Sequence, residues 1–61
     1  MTEAQILAVR AEIEATISLR EGMIAENKVC EARREYPIYD NSAFGENADT
    51  LFALADILRR T

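Results

Sequence analysis

Residues 2–34 read TEAQILAVRAEIEATISLREGMIAENKVCEARR, and this stretch decides the fold because it predicts one long amphipathic helix. Thr2 and Gln5 fit a capping box, in which the two side chains satisfy free backbone N–H groups at the helix start reciprocally. Pro37 disfavours helical backbone in the residue before it and predicts the helix end. We therefore expect a helix over about residues 3–34, which is more than half of the chain.

The predicted helix carries two apolar faces. The first is a ridge of large aliphatic side chains: Ile6, Val9, Ile13, Ile17 and Ile24. The second is a stripe of small residues, in alternating steps of four and three, that lies roughly 150° around the helix from the ridge. The stripe consists of Ala4, Ala8, Ala11, Ala15, Ser18, Gly22, Ala25 and Val29.

The small-residue stripe has two interpretations. Small side chains let another helix approach closely and gain dispersion contacts, whereas alanine is also the best helix former and needs no partner. Gly22 favours a close contact, because a glycine inside a helix costs about 1 kcal/mol relative to alanine. A local bend at Gly22 is the other explanation.

Size limits what this chain can bury. A single core in 61 residues rarely supplies more than about 3–5 kcal/mol, and chains of this size usually need an additional constraint. Cys30 is the only cysteine and there is no histidine, so an intramolecular disulfide is excluded and a structural zinc site is not expected. Oligomerisation is the remaining common solution.

Charge is acidic and evenly spread. The net charge is −4, and each half of the chain contributes −2. An acidic surface argues against a nucleic-acid backbone or an anionic membrane as the main partner. The sequence contains no apolar run long enough for a membrane span and no signal-peptide pattern. These features predict a cytoplasmic protein.

A loop and a second, shorter helix are predicted to follow. We expect the loop over residues 35–46, with an irregular or short helical turn at Ser42–Glu46. Asn47 is the preferred N-cap of a helix over about residues 47–60. This helix should be largely buried, because apolar residues cover much of its circumference; they include Phe44, Ala48, Leu51, Phe52, Leu54, Ala55, Ile57 and Leu58.

The loop contains the apolar residues Tyr36, Ile38 and Tyr39. One interpretation is that they close the end of the helical core. The other is that they form a contact patch for a partner protein, since tyrosine is enriched at protein interfaces.

The unequal helix lengths predict a homodimer. If the second helix folds back antiparallel, it covers roughly Ile17 to Arg34 and leaves the start of the ridge exposed. A second copy related by a two-fold axis would bury both uncovered halves in a four-helix assembly, which makes the fold class an all-α helical hairpin that dimerises. The candidate dimer residues come from both faces, and the choice between the faces stays open: Ile6, Val9, Ile13, Ile17, Ala11, Ala15, Ser18 and Gly22.

No catalytic constellation is present in the sequence. Histidine, the commonest general acid–base group, is absent, and Cys30 therefore has no histidine to activate it. We expect Cys30 to pack beside Met23 on a buried or half-buried face. Carboxylate metal sites in helical bundles typically use Glu-x-x-His, which also requires histidine. We therefore predict no enzyme activity, no cofactor and no bound metal.

A nucleic-acid-binding dimer is the alternative function. In the predicted hairpin Arg59 and Arg60 would lie near Arg20 and could form a local basic patch. In length and layout the chain resembles the small plasmid RNA-binding helical-hairpin dimers. It has no residue-by-residue match to them, so the resemblance assigns no RNA-binding residue.

The whole chain also resembles another group of proteins. Its size, its Glu-Tyr-Pro-Ile-Tyr linker (35–39) and its Leu-Phe-Ala-Leu-Ala-Asp-Ile-Leu close (51–58) are similar to the accessory proteins from the early region of lambda-like temperate phages. That resemblance implies a modulator of host physiology or phage development that acts through protein contacts in the host cytoplasm. We therefore predict a small regulatory protein whose partner contacts use Tyr36, Tyr39 and the exposed glutamates.

Overall fold

The computed structural model describes residues 1–60 as two helices that pack against each other. Helix α1 spans Glu3–Ala32 and helix α2 spans Asn41–Arg59. The chain forms an elongated hairpin with principal extents of 48 × 17 × 10 Å. The prediction of an all-α helical hairpin is confirmed.

The start of α1 is the predicted capping box. The Gln5 backbone N–H donates to Thr2 Oγ1 at 3.1 Å, and the Thr2 N–H donates to Gln5 Oε1 at 2.8 Å. Each bond satisfies a backbone donor that has no partner within the helix. This signal is entirely local, which is why four residues of sequence suffice to predict it.

Helix α1 ends at Ala32, two residues before the predicted end. Arg34 adopts the left-handed region with φ of 59°, and its N–H donates to the Glu31 carbonyl at 3.0 Å. The Glu35 N–H donates to the Cys30 carbonyl at 2.8 Å. These two bonds make a Schellman motif, which satisfies the last carbonyls of the helix and turns the chain before Pro37 is reached.

Helix α2 begins seven residues earlier than predicted, counted from N-cap to N-cap. Asp40 is its N-cap, with Oδ1 accepting from the Ala43 N–H at 3.1 Å. The predicted loop over residues 35–46 and the predicted cap at Asn47 are therefore wrong. The regular helix includes Gly45. Glycine lowers helix stability, but the additional turns extend the packing face of α2 back to Phe44 and offset that cost.

A hydrogen bond between the helices sets their register. Asn47 Nδ2 donates to the Thr16 carbonyl at 3.0 Å, so these residues lie at the same level. Counting along antiparallel helices at about 1.5 Å per residue, α2 extends from the level of Gly22 to that of Ala4. Helix α2 therefore covers the first two thirds of α1, and the prediction that it covers Ile17–Arg34 is wrong.

The opposite end of α1 is the one that α2 leaves uncovered. Ile6, Val9 and Ile13, predicted to be exposed in one copy, are half-buried. The reason is the linker over residues 33–40, which runs back beside α1 as far as Asn27 before α2 begins. The C-terminal turns of α1 are thus flanked by the linker alone.

The contact between the helices follows a heptad pattern. On each helix a series of buried and half-buried residues alternates steps of three and four, and we infer that these residues pack inward. The α1 positions are Ile6, Val9, Ile13, Thr16, Arg20, Met23, Asn27 and Cys30, and the α2 positions are Phe44, Asn47, Leu51, Leu54 and Leu58. Such a pattern is typical of two helices packing side by side.

The core of one copy is small. Within residues 1–60 the buried hydrophobic side chains are Met23, Cys30 and Leu54. The prediction that Cys30 is a buried packing residue is confirmed. Asn47 is the buried polar residue of the interface, and its Oδ1 has no hydrogen-bond partner. Most of the apolar side chains of residues 1–60 are therefore only half-buried or exposed.

Candidate interaction surfaces

The linker is fixed to α1 by one asparagine. Asn27 Nδ2 donates to the Tyr39 carbonyl at 2.9 Å, and the Tyr39 N–H donates to Asn27 Oδ1 at 3.0 Å. The amide therefore satisfies both backbone groups of one linker residue, as the neighbouring strand of a sheet would. This pairing places the segment between Arg34 and Asp40 in a defined position on α1.

The Tyr39 phenol lies near the Glu26 carboxylate. Glu26 raises the pKa of the Tyr39 phenol, first through the repulsion between its carboxylate and a tyrosinate, then through a hydrogen bond with the phenol. The pairing stabilises the folded chain fully below the ordinary tyrosine pKa of 10.0. Its contribution is lost as the pH rises through the raised value.

The other apolar linker residues are exposed. Tyr36 is 95% exposed and Ile38 is 64% exposed, whereas Tyr39 is half-buried. The interpretation that all three close the helical core is therefore wrong for Tyr36 and Ile38. We call these two exposed apolar residues the linker patch; they precede Tyr39, whose backbone Asn27 binds.

The arginines of the predicted basic patch are not brought together. From the level of Asn47 and Thr16, Arg59 lies toward the start of α1 and Arg20 toward its end, which separates them by roughly 24 Å along the axis. Arg60 pairs with Asp56, with Nη2 to Oδ2 at 2.7 Å. The shorter distance expected from the sequence depended on the wrong register.

An open groove lies along α1 beyond the start of α2. Its volume is about 300 Å³, and it is lined by Arg20, Glu21, Ile24, Ala25 and Lys28. All of these residues belong to one helix, so the groove is a shallow depression in its surface. Basic and acidic side chains both border it, with an apolar floor between them.

Apolar residues from both helices also lie on one side of the hairpin. Ile17 and Ile24 directly follow positions of α1 that pack inward, and Ala48 and Ala55 directly follow such positions of α2. Two right-handed antiparallel helices present the residues that follow these positions on the same side. With Phe52 between the alanines, these residues form the apolar flank: Ile17, Ile24, Ala48, Phe52 and Ala55.

The residues of the apolar flank differ in their exposed fraction. Phe52 is 68% exposed and Ile24 is 40% exposed, while the other three residues are half-buried. The opposite side of the hairpin carries Leu19 and Ile57 among polar and acidic residues. The rule that defines the flank also places Arg10, Glu14 and Glu21 on its side, so charged side chains interrupt it.

The small-residue stripe faces away from α2. Ala11, Ala15, Ser18 and Gly22 are all exposed. Apart from the neighbouring residues and the surrounding backbone of α1, a Cβ atom added at Gly22 would meet no heavy atom within 4 Å. Within one copy, the stripe thus makes no close helix contact that would require its small residues.

Two features of residues 1–60 concern metal binding and membrane spanning. Residues 1–60 contain no group of three or more His, Cys, Asp or Glu side chains that could hold a metal ion. In that same part of the chain, neither helix is long and apolar enough to cross a membrane.

Comparisons with protein-family models, curated proteins and solved structures found no match.

Two important residues were not predicted from the sequence. Asn27 occupies a packing position of the heptad pattern, and a polar residue there was the available signal for a specific contact. Phe52 was assigned to a buried helix, because a helix that is apolar around its circumference is usually buried. The structure leaves it exposed because α2 has only one neighbour within the chain.

Proposed function

We propose that this chain is a small non-enzymatic protein that acts as a homodimer and binds another protein through its linker patch. The observation that carries the proposal is the exposure of Tyr36 and Ile38 in a linker whose residue Tyr39 makes two backbone hydrogen bonds to Asn27. A loop that is already held in place loses little conformational entropy when it binds. The linker patch therefore combines apolar contact area with preorganisation.

The residue types of the linker patch suit a protein partner. Tyrosine offers a large apolar ring with a polar tip, and it is enriched among residues that dominate binding energy. Glu26 and Glu35 are close to the patch in sequence or in space, which favours a partner surface with a basic rim. The resemblance to phage accessory proteins extends the proposal to a modulator of host or phage development.

The nucleic-acid alternative has lost its main support. It depended on a patch made by Arg20, Arg59 and Arg60, and the register separates the first from the other two. An overall charge of −4 also opposes binding to a phosphate backbone. We therefore place the protein-binding function first.

A pull-down with matched variants tests the proposed function. The tagged protein and the variant Tyr36→Ala/Ile38→Ala are incubated with bacterial lysate, with and without nuclease, and the captured proteins are quantified by mass spectrometry. We expect a nuclease-resistant partner that the double variant captures at least about tenfold less, since each hot-spot side chain contributes about 1–2 kcal/mol or more.

A control variant separates the linker patch from general surface effects. Leu7 is 63% exposed on α1, so Leu7→Ala removes a comparable apolar side chain elsewhere and should leave capture unchanged. Equal capture by all three proteins would place the contact outside the linker patch. Captured proteins that disappear after nuclease treatment would contradict the protein-binding function.

A further inference from the structure

We infer that the linker (residues 33–40) is a strap that covers Cys30 and opens independently of the contact between α1 and α2. When the linker opens, the C-terminal turns of α1 expose Met23 and Cys30 to solvent while the two helices stay packed. This inference concerns the segment that contains the linker patch, but it requires neither a homodimer nor a partner protein.

The linker, rather than α2, is the segment that buries Cys30. The Cys30 side chain is 6% exposed, although α2 begins at the level of Gly22, about 12 Å closer to the start of α1. The Tyr39 backbone is bonded to Asn27, three residues before Cys30, and the Glu35 N–H donates to the Cys30 carbonyl. Among the described residues, the linker is therefore the segment within reach of the Cys30 side chain.

Few bonds hold the linker against α1. Asn27 binds the backbone of Tyr39 through two hydrogen bonds. Residues 36–38 are exposed and make no hydrogen bond to any other residue of the described chain. The bonds at Arg34 and Asp40 belong to the ends of the two helices. These terminal bonds can remain in place when the linker leaves α1, so opening breaks chiefly the pairing between Asn27 and Tyr39.

The contacts that hold the helices together lie far from that pairing. Asn47 binds the Thr16 carbonyl, which is about 17 Å from Asn27 along α1. The buried Leu54 lies still further away, near the level of Val9. Separate groups of contacts open separately, and segments with few buried contacts open most readily. The helices can therefore keep their packing while the linker is released.

Opening of the linker would couple the accessibility of Cys30 to binding at the linker patch. A partner that binds Tyr36 and Ile38 in the closed linker has higher affinity for the closed state than for the open one. Such a partner shifts the equilibrium toward the closed state. It would thus protect the Cys30 thiol without contacting it.

The reaction of the Cys30 thiol with a coloured aromatic disulfide tests the inference. Cys30 is the only cysteine of the chain, and a buried thiol reacts only after it becomes accessible. We expect the wild type to react more slowly than an unstructured cysteine peptide. We also expect its rate at low urea to change little with urea, because local opening exposes little surface.

Two results on the wild type would overturn the inference. A rate that rises with urea as steeply as the global unfolding constant would show that Cys30 reacts only when the whole chain unfolds. A rate equal to that of the unstructured peptide would show that nothing covers Cys30. Because these measurements need no substitution, they decide the question even when a variant fails to fold.

Asn27→Ala and Val9→Ala are matched variants for the same reaction. Asn27→Ala removes the bonds that hold the linker, and Val9→Ala truncates a half-buried side chain at the other end of α1. Both changes should lower global stability, and circular dichroism shows whether each variant keeps its helices. We expect Asn27→Ala to raise the rate of Cys30 reaction by roughly tenfold. We expect Val9→Ala to leave the rate unchanged.

The comparison of these variants distinguishes local opening from global unfolding. Equal acceleration by both variants would overturn the inference, because Cys30 would then react through unfolding of the whole chain. An unchanged rate for Asn27→Ala would also overturn it, because the linker would then not be held over Cys30 by Asn27.

Discussion

Asn27 determines where the linker lies, because both polar ends of its side chain are used by the backbone of Tyr39. Glycine, alanine or a hydrophobic residue at this heptad position would leave those two backbone groups to water. A single side chain therefore connects the packing of α1 to the position of the linker patch.

The variant Asn27→Ala tests this role. Loss of both hydrogen bonds at a half-buried site should lower the free energy of unfolding by about 1–2 kcal/mol, measured by urea denaturation. Asn41→Ala, at the exposed first residue of α2, is the control and should change stability much less. A loss no larger than that of the control would show that the linker does not depend on Asn27.

Arg34 is the second residue with a specific conformational role. Its φ of 59° lies in the left-handed region, where a residue with a Cβ is strained by roughly 1–2 kcal/mol. Glycine is the usual residue at this position of a Schellman motif, because it adopts the region without that strain.

Arg34→Gly should therefore raise the free energy of unfolding by about 0.5–1 kcal/mol, after the entropy that glycine adds to the unfolded chain is included. Arg33→Gly is the matched control, since Arg33 has an ordinary φ of −89° and should lose stability. Thermal or urea unfolding of the two variants gives the comparison. A decrease for both would mean that the left-handed turn is absent in solution.

At the scale of the helix, the ends of α1 and the start of α2 show what local sequence can and cannot decide. The capping box at Thr2 was predictable, because its partners lie three residues apart. The start of α2 was not, because Asp40, Ser42 and Asn47 are all good N-cap residues. Asn47 is used instead across the interface, where it binds the Thr16 carbonyl.

Alanine substitutions at Gly22 and Gly45 test whether these glycines only lower helix stability or also allow close packing against another helix. Neither has a heavy atom within 4 Å of an added Cβ. Gly22→Ala and Gly45→Ala should therefore each stabilise the protein, by up to about 1 kcal/mol. Calorimetric melting at equal concentration provides the measurement. A loss of stability or of dimer for Gly22→Ala alone would indicate that the stripe packs closely against another helix.

At the scale of the whole molecule, the helical hairpin was predictable and its register was not. Periodicity and cap signals lie within single helices, so they predict two helices and their order. The register depends on the path of eight linker residues, which could have turned sharply or run back along α1. The Asn27–Tyr39 pairing selects the second path, and it joins residues twelve positions apart.

The dependence of the register on the linker path also explains why the predicted basic patch is not formed. Tyr36 is exposed beside Pro37 in the linker, and its role as a partner contact stays a prediction. The grouping of Arg20 with Arg59 and Arg60 was wrong, because it needed the register. A surface formed by one segment can be predicted from the sequence, whereas a surface formed by two helices also requires their register.

The register also places the ends of the described chain side by side. Arg60 lies at the level of Glu3, whereas the linker patch lies at the far end of an elongated molecule 48 Å long. A tag attached at this end of the hairpin would therefore lie far from the linker patch and leave it unobstructed.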